Sequence, residues 1–297
     1  MKKKKYNYID AHSHAVDFLQ EPKGLKQTLY WMDKANISHS VIFGLPLIKN
    51  KKEYDYYYQT DEILAKEYLI LNNKEQKRFF PLICGFNPTD KMAIKRIEKI
   101  ISKFPNIWHG FGEILFRHDK ISREIEGEHP RINHSAMDDI YQFCAEKNMP
   151  ILIHQNLNSE NSSPNPEAMQ ELEQTLDKHK KTIFVLSHAG STPKIYNPNQ
   201  PEIIRELLSY HQNLFIDLSW KIQDKFIYRA AQLDENWVEL SQDFSDRICL
   251  GSDNTENPQE IPEILAKFDI LLDSIDKKAQ KNLAFRTARK LYYKVKA

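Results

Sequence analysis

Six residues, His12, His14, Glu113, His154, His188 and Asp253, combine a type that can hold a divalent metal ion with a place at the end of an apolar run. The spacing of His12-Ser13-His14 has a physical meaning, because residues two apart in an extended chain point to the same side. Both imidazoles of such a pair can reach one ion. Neutral imidazole and carboxylate are suitable ligands for zinc (Zn2+), and also for manganese (Mn2+) or iron (Fe2+). A catalytic centre of this kind leaves one position open for water and lowers the pKa of that water toward ~7.

Each residue taken alone has an ordinary structural reading. A single HxH is often a loop feature, Glu113 can cap a loop, His154 and His188 can be satisfied core histidines, and Asp253 can sit in a plain strand-to-helix turn. The joint placement carries the argument. All six fall at or just beyond the ends of apolar runs that read as strands, and a parallel barrel opens every strand's C-terminal end on one face.

Those runs cover residues 6–11, 40–45, 80–86, 108–114, 150–154, 183–188, 214–218 and 247–251. Several, including ILIH and IFVLSH, are nearly continuous in β-branched and large apolar residues, as expected for strands covered on both faces. Helical periodicity separates them, over residues 61–72, 92–104, 135–147, 166–181, 201–211 and 262–273. Ser135 with Asp138 three residues later forms a capping-box variant, and three of the helices open with proline. Strands alternating with helices imply right-handed βαβ units. Eight such strands predict an α/β fold, a (β/α)8 TIM barrel, with a doubly wound open sheet as the alternative. With no repeat or linker to divide it, the chain reads as a single domain over residues 1–297. The widest irregular stretches, 116–134 and 156–165, each follow a strand end, where a barrel places its active-site loops.

Composition narrows the function classes. The 297 residues are 41% hydrophobic, and 42 basic residues face 41 acidic ones for a net charge of +1. That balance argues against a dedicated nucleic-acid or anionic-membrane surface, so the expected partner is a small-molecule substrate. Homo-oligomerisation stays open, since no interface helix stands out. Cys84, Cys144 and Cys249 form no CxxC pair and read as reduced thiols of a cytoplasmic protein. The basic start, residues 1–5, is followed by no apolar segment of the kind that directs secretion, and no apolar run approaches the ~20 residues that cross a bilayer.

Ile9-Asp10-Ala11-His12-Ser13-His14, Gly112-Glu113-Ile114, Ile153-His154, Leu186-Ser187-His188-Ala189-Gly190 and Leu250-Gly251-Ser252-Asp253 resemble, in order, the signatures of the amidohydrolase superfamily. The likeness is greatest to the branch called amidohydrolase family 2 and spans nearly the whole chain, including the closing helix from Asn282 to Tyr292. The resemblance implies a metal-dependent hydrolase barrel. It implies that His12, His14 and His154 bind the metal and that Asp253 both touches it and accepts a water's proton. His188 would polarise substrate or hold the water, or would ligate a second ion with Glu113 bridging. The strand-four lysine that some members carboxylate is replaced here by Glu113, which leaves one or two ions open.

Beyond the cluster, Arg117 and His118, with Arg131 and His134, fall in the long loop after strand four and are candidates to grip a substrate carboxylate or phosphate. Trp220 is a candidate to pack on a substrate ring. Solvated loop charges and a core tryptophan are the alternatives, and the tyrosines of 54–58 line a lid or pack on a helix. The leading functional expectation is hydrolysis of a small ester, lactone or amide by a metal-activated water, with Asp253 and His188 catalytic. The same branch also performs non-hydrolytic decarboxylation of aromatic or enol acids. TatD-like nucleases share HxH and a GE motif, but here Glu113 is followed, past Ile114, by Leu115-Phe116-Arg117 in place of their continuation. A non-catalytic barrel with a metal or ligand pocket is the remaining class.

Overall fold

Short apolar runs pair side by side, all parallel and in chain order, in the computed structural model, which describes residues 6–50, 53–118, 121, 125, 129–158, 163–255 and 257–293. The basic start at 1–5 and parts of the two long loops (119–120, 122–124, 126–128 and 159–162) lie outside the described residues. The strands are β1 (Tyr8–His14), β2 (Ile37–Phe43), β3 (Phe79–Ile83), β4 (Gly110–Arg117), β5 (Ile151–Gln155), β6 (Phe184–Leu186), β7 (Leu214–Leu218) and β8 (Ile248–Leu250). Past β8 the chain turns back onto β1: the Asp253 N–H donates to the His12 carbonyl at 2.8 Å, and the His14 N–H to the Asn254 carbonyl at 3.3 Å. These bonds close the sheet, and the fold is a (β/α)8 barrel.

Helices cover the outside because each has one apolar face to bury. They include α1 (Leu25–Ala35), α2 (Thr60–Leu69), α3 (Ala93–Lys103), α4 (Asp138–Lys147), α5 (Pro166–Lys178), α6 (Gln200–Tyr210) and α7 (Glu235–Asp243). Their ends are chemically marked. The Asn165 side chain accepts from the Glu167 and Ala168 N–H groups ahead of Pro166, and Asn36 and Asn148 end α1 and α4 in the left-handed region at φ 58° and 52°. Residues such as Ile97 on α3 and Leu172 on α5 are buried against the sheet. Each contributes about 1.5–3 kcal/mol relative to exposure. No described helix is long and apolar enough to cross a membrane. The three cysteines are buried and free.

Several boundaries differ from the sequence expectation. The first strand, expected over 6–11, runs to His14, so the HxH pair lies on the strand itself and both imidazoles reach Asp253 Oδ1. The sixth, expected over 183–188, stops at Leu186, and Ser187–Gly190 form a tight turn. The tyrosine stretch 54–58 enters a hairpin in which Glu53–Tyr56 pairs antiparallel with Leu47–Asn50. Leu47 of that ribbon packs with Leu115 of β4 and Ile125. The cap of the 135–147 helix is His134, whose Nδ1 accepts the Ala136 N–H at 3.1 Å, while Asp138 pairs with Lys178 and His179. Residues 262–273 break into Ile261–Ala266 and Asp269–Asp273.

One histidine on the sheet predicts an acid response. His39 stacks on Phe80 with ring centroids 5.3 Å apart and an interplanar angle of 4°. Burial, helped by the Arg78 and Arg289 cations, lowers its pKa to about 4. A depressed folded pKa favours the fold above the unfolded value near 6.5, and that contribution is lost as pH falls toward 4. After discounting for its partial exposure, the loss is on the order of 1 kcal/mol. His39→Phe keeps the stacking ring and removes the titration. Its melting temperature should therefore fall less than wild type's between pH 7 and pH 4.5; equal slopes would refute this origin.

Candidate metal centre

The C-terminal strand ends bring all six expected side chains together. His12 and His14 come from β1, Glu113 from β4, His154 from β5, His188 from the turn after β6 and Asp253 from the segment after β8, and every one is at most slightly exposed. His14 Nε2 lies 3.1 Å from Asp253 Oδ1, and His12 Nε2 lies 3.3 Å from the same oxygen. Glu113 sits between the halves of the cluster: Oε2 is 3.7 Å from His12 Nε2 and 3.8 Å from His14 Nε2, while Oε1 is 3.0 Å from His154 Nδ1 and 3.5 Å from His188 Nε2. Three triplets, His12–His188–Asp253, His12–His14–Glu113 and Glu113–His154–His188, each place their ligand atoms within 4.8 Å of one another.

The outer partners aim these rings. His12 Nδ1 is 2.9 Å from Asp217 Oδ2, and His14 Nδ1 is 3.2 Å from the Gly44 carbonyl. An acceptor at Nδ1 leaves the Nε2 lone pair for the interior. His154 is turned the other way, with Nε2 at 3.2 Å from Asn156 Oδ1, so Nδ1 faces Glu113. Backbone strain concentrates here as well: His188, Trp220 and Asp253 all lie in the left-handed region, at φ 55°, 59° and 49°. Non-glycine residues held so cost about 1–3 kcal/mol each.

The electrostatics fit a cation. Burial alone would raise the Asp253 pKa, but the imidazoles of His12, His14 and His188 outweigh it and hold the carboxyl well below the usual carboxylate range. Glu113 behaves alike, with burial opposed by His12, His154 and His188. For His12, burial favours the neutral ring, and Asp217, Glu113 and Asp253 together override it. Three carboxylates around buried imidazoles demand positive charge. Moreover, His12 Nε2 is buried with no partner in hydrogen-bond geometry, which is what a ligand atom awaiting an ion looks like. The donor set of imidazole nitrogens and carboxylate oxygens suits a divalent ion.

The sequence profile of the family described as Amidohydrolase matches residues 9–293. The chain belongs to the amidohydrolase family. No curated protein matches it significantly. Among solved structures, this amidohydrolase-family chain resembles an amidohydrolase from Burkholderia multivorans with bound zinc (12% identity, TM-score 0.64, 98% of this chain and 100% of that one). It also resembles a dihydroorotase from Campylobacter jejuni (14%, 0.58, 96% and 82%) and a 2,6-dihydroxybenzoate decarboxylase from Rhizobium (12%, 0.58, 97% and 98%). At these identities the likeness is one of fold.

In this amidohydrolase barrel, a cavity of about 240 Å³ opens over the cluster, walled by Phe18, Leu45, Leu115, Ile121, His118 and Trp220. His118 and Trp220 thus reach the cavity, their rings roughly parallel with centroids 5.9 Å apart. Arg117 does not line it. Its guanidinium makes two 2.8 Å hydrogen bonds to Glu171 and a third ion pair to Glu167, both on α5, so its charge is already engaged. Arg131 also leans on Glu171, at 3.7 Å.

Two further acids of the site escaped sequence reasoning. Asp217, next to last in β7, touches both His12 and the turn of His188; an acid inside the apolar run LFIDL was the available signal. Asp10 accepts the Ser252 N–H at 2.8 Å and the Ser252 hydroxyl at 2.7 Å, tying β1 to the segment that carries Asp253. Burial pushes the Asp10 carboxyl up to about 6 against those donors.

Proposed function

We propose that this chain is a metal-dependent hydrolase of a small ester, lactone or amide, with Asp253 as general base. The observation that carries it is Asp253 itself, a carboxylate within 3.3 Å of two histidine nitrogens and on the wall of the cavity. His12, His14, His154 and Asp253 would hold the ion, with Glu113 and His188 completing a second position or supporting the first. A divalent ion there supplies Lewis acidity, making a water more acidic and drawing charge from a carbonyl. The residues do the rest. Asp253, kept ionised by its histidine neighbours, receives the water's proton, and the apolar cavity wall excludes bulk water and orients the substrate. His188, with Nε2 3.9 Å from Asp253 Oδ2, would hold the water by accepting a hydrogen bond from it.

The test begins with metal content of protein expressed in metal-replete medium, followed by a panel of small lactones, esters and amides. Chelation should abolish hydrolysis, and added zinc or manganese should restore it. Metal content near zero would overturn the reading.

A second reading has its own support. The roughly parallel His118 and Trp220 rings suit a planar aromatic acid, which favours decarboxylation. Carbon dioxide released from dihydroxybenzoates, with no hydrolysis across the panel, would select it.

A further inference from the structure

Asp217 is fully buried near the end of β7, two residues before Ser219, and the pair reaches two of the histidines by different routes. To His12 the contact is direct, Nδ1 to Oδ2 at 2.9 Å. To His188 it is relayed: the Ser219 hydroxyl donates to Asp217 Oδ1, and His188 Nδ1 lies 2.7 Å from that same hydroxyl oxygen. A hydroxyl has one proton and a carboxylate accepts only. With its proton committed to Asp217, Ser219 has only a lone pair to offer His188. The Nδ1 of His188 must therefore carry a hydrogen, which leaves Nε2, 3.5 Å from Glu113 Oε1, as the atom that would meet an ion. The His188 backbone N–H also donates to Asp217 Oδ1, at 3.0 Å, which pins the turn that holds the ring.

We propose that Ser219 is a positioning residue for His188, a hydroxyl relay through which one buried carboxylate, Asp217, sets the ring state of histidines from two different strands. His12 and His188 then present Nε2 to the same interior, with ring centroids 4.9 Å apart. The relay is needed because His188 Nδ1 is 3.9 Å from the Asp217 carboxylate, too far for a direct hydrogen bond. It explains why a serine, able to accept and donate at once, is buried there. The relay itself rests only on the contacts above; its consequence for ion affinity rests on the proposed metal centre.

The test has two arms that fail separately. Long-range 1H–15N correlation on protein with 15N-labelled histidine reads the ring state of His188 directly, without any substrate. Wild type should show the proton on Nδ1, Ser219→Thr should keep it there, and Ser219→Ala should populate the other tautomer. In the second arm, zinc alone is titrated in competition with a chromophoric chelator. Ser219→Ala should bind about 10–100-fold more weakly, as expected when an outer partner of a ligand is lost, with Ser219→Thr close to wild type. An unprotonated Nδ1 in wild type would overturn the relay whatever the variants do. Unchanged tautomer and unchanged zinc affinity in Ser219→Ala would also overturn it. A correct ring state with no zinc binding in any form would count against the metal centre and leave the relay standing.

Discussion

Asp253→Asn is expected to lower turnover by about 10³-fold, within the 10²–10⁴ range that positioned proton transfer contributes. This corresponds to roughly 4 kcal/mol of barrier. The amide keeps an oxygen near His12 and His14 but has no basic lone pair to take a proton. Asp253 is held ionised by the surrounding imidazoles of His12, His14 and His188, so the proton acceptor is unprotonated at neutral pH. Metal content measured on the same preparation separates two causes. A fall in rate with metal retained identifies proton transfer, whereas a fall that tracks metal loss identifies Asp253 as ligand only. Wild-type turnover on the substrate found by screening would remove Asp253 from the mechanism.

Gly112→Ala should be the most damaging small substitution near the site, destabilising the barrel by roughly 3 kcal/mol or more. Gly112 lies at φ +119°, and a Cβ there would stand 2.4 Å from the Leu152 carbonyl oxygen and 2.6 Å from the Leu152 Cβ. Neither is the loose end of a flexible chain, so β4 and β5 would have to part. That shift would carry Glu113 away from His154, and metal content should fall along with the melting temperature, which drops by roughly 6 °C or more. Gly24→Ala supplies the control, since its φ of +77° is also left-handed but nothing lies within 4 Å of the added carbon. It should cost only about 1 kcal/mol. Equal melting temperatures for the two variants would refute the close-approach argument.

The barrel and its six polar strand ends were legible because two periodicities are written locally. Runs such as ILIH and IFVLSH need burial on both faces, and the helices between them carry apolar residues every three or four positions. The pairing of Leu47–Asn50 with Glu53–Tyr56 was not legible, because it packs through Leu47 onto Leu115 and Ile125 far along the chain. The cap at His134 was missed because a histidine nitrogen replaced the expected serine oxygen.

Which side chains share the site was therefore set by residue type and order, since any parallel barrel gathers its strand ends. What those side chains can do was decided only by the tertiary structure. Arg117 and His118 are neighbours in sequence, yet one is neutralised by Glu171 of α5 and the other faces the cavity, because α5 happens to pass beside β4. Asp217 is one acid among 41 in the composition. It becomes part of the centre because β7 lies between β6 and β8, within reach of His188 on one side and, across the barrel's closure, of His12. Local sequence encodes periodicity and donor chemistry; the distances that turn donors into a site depend on contacts between residues some 200 positions apart.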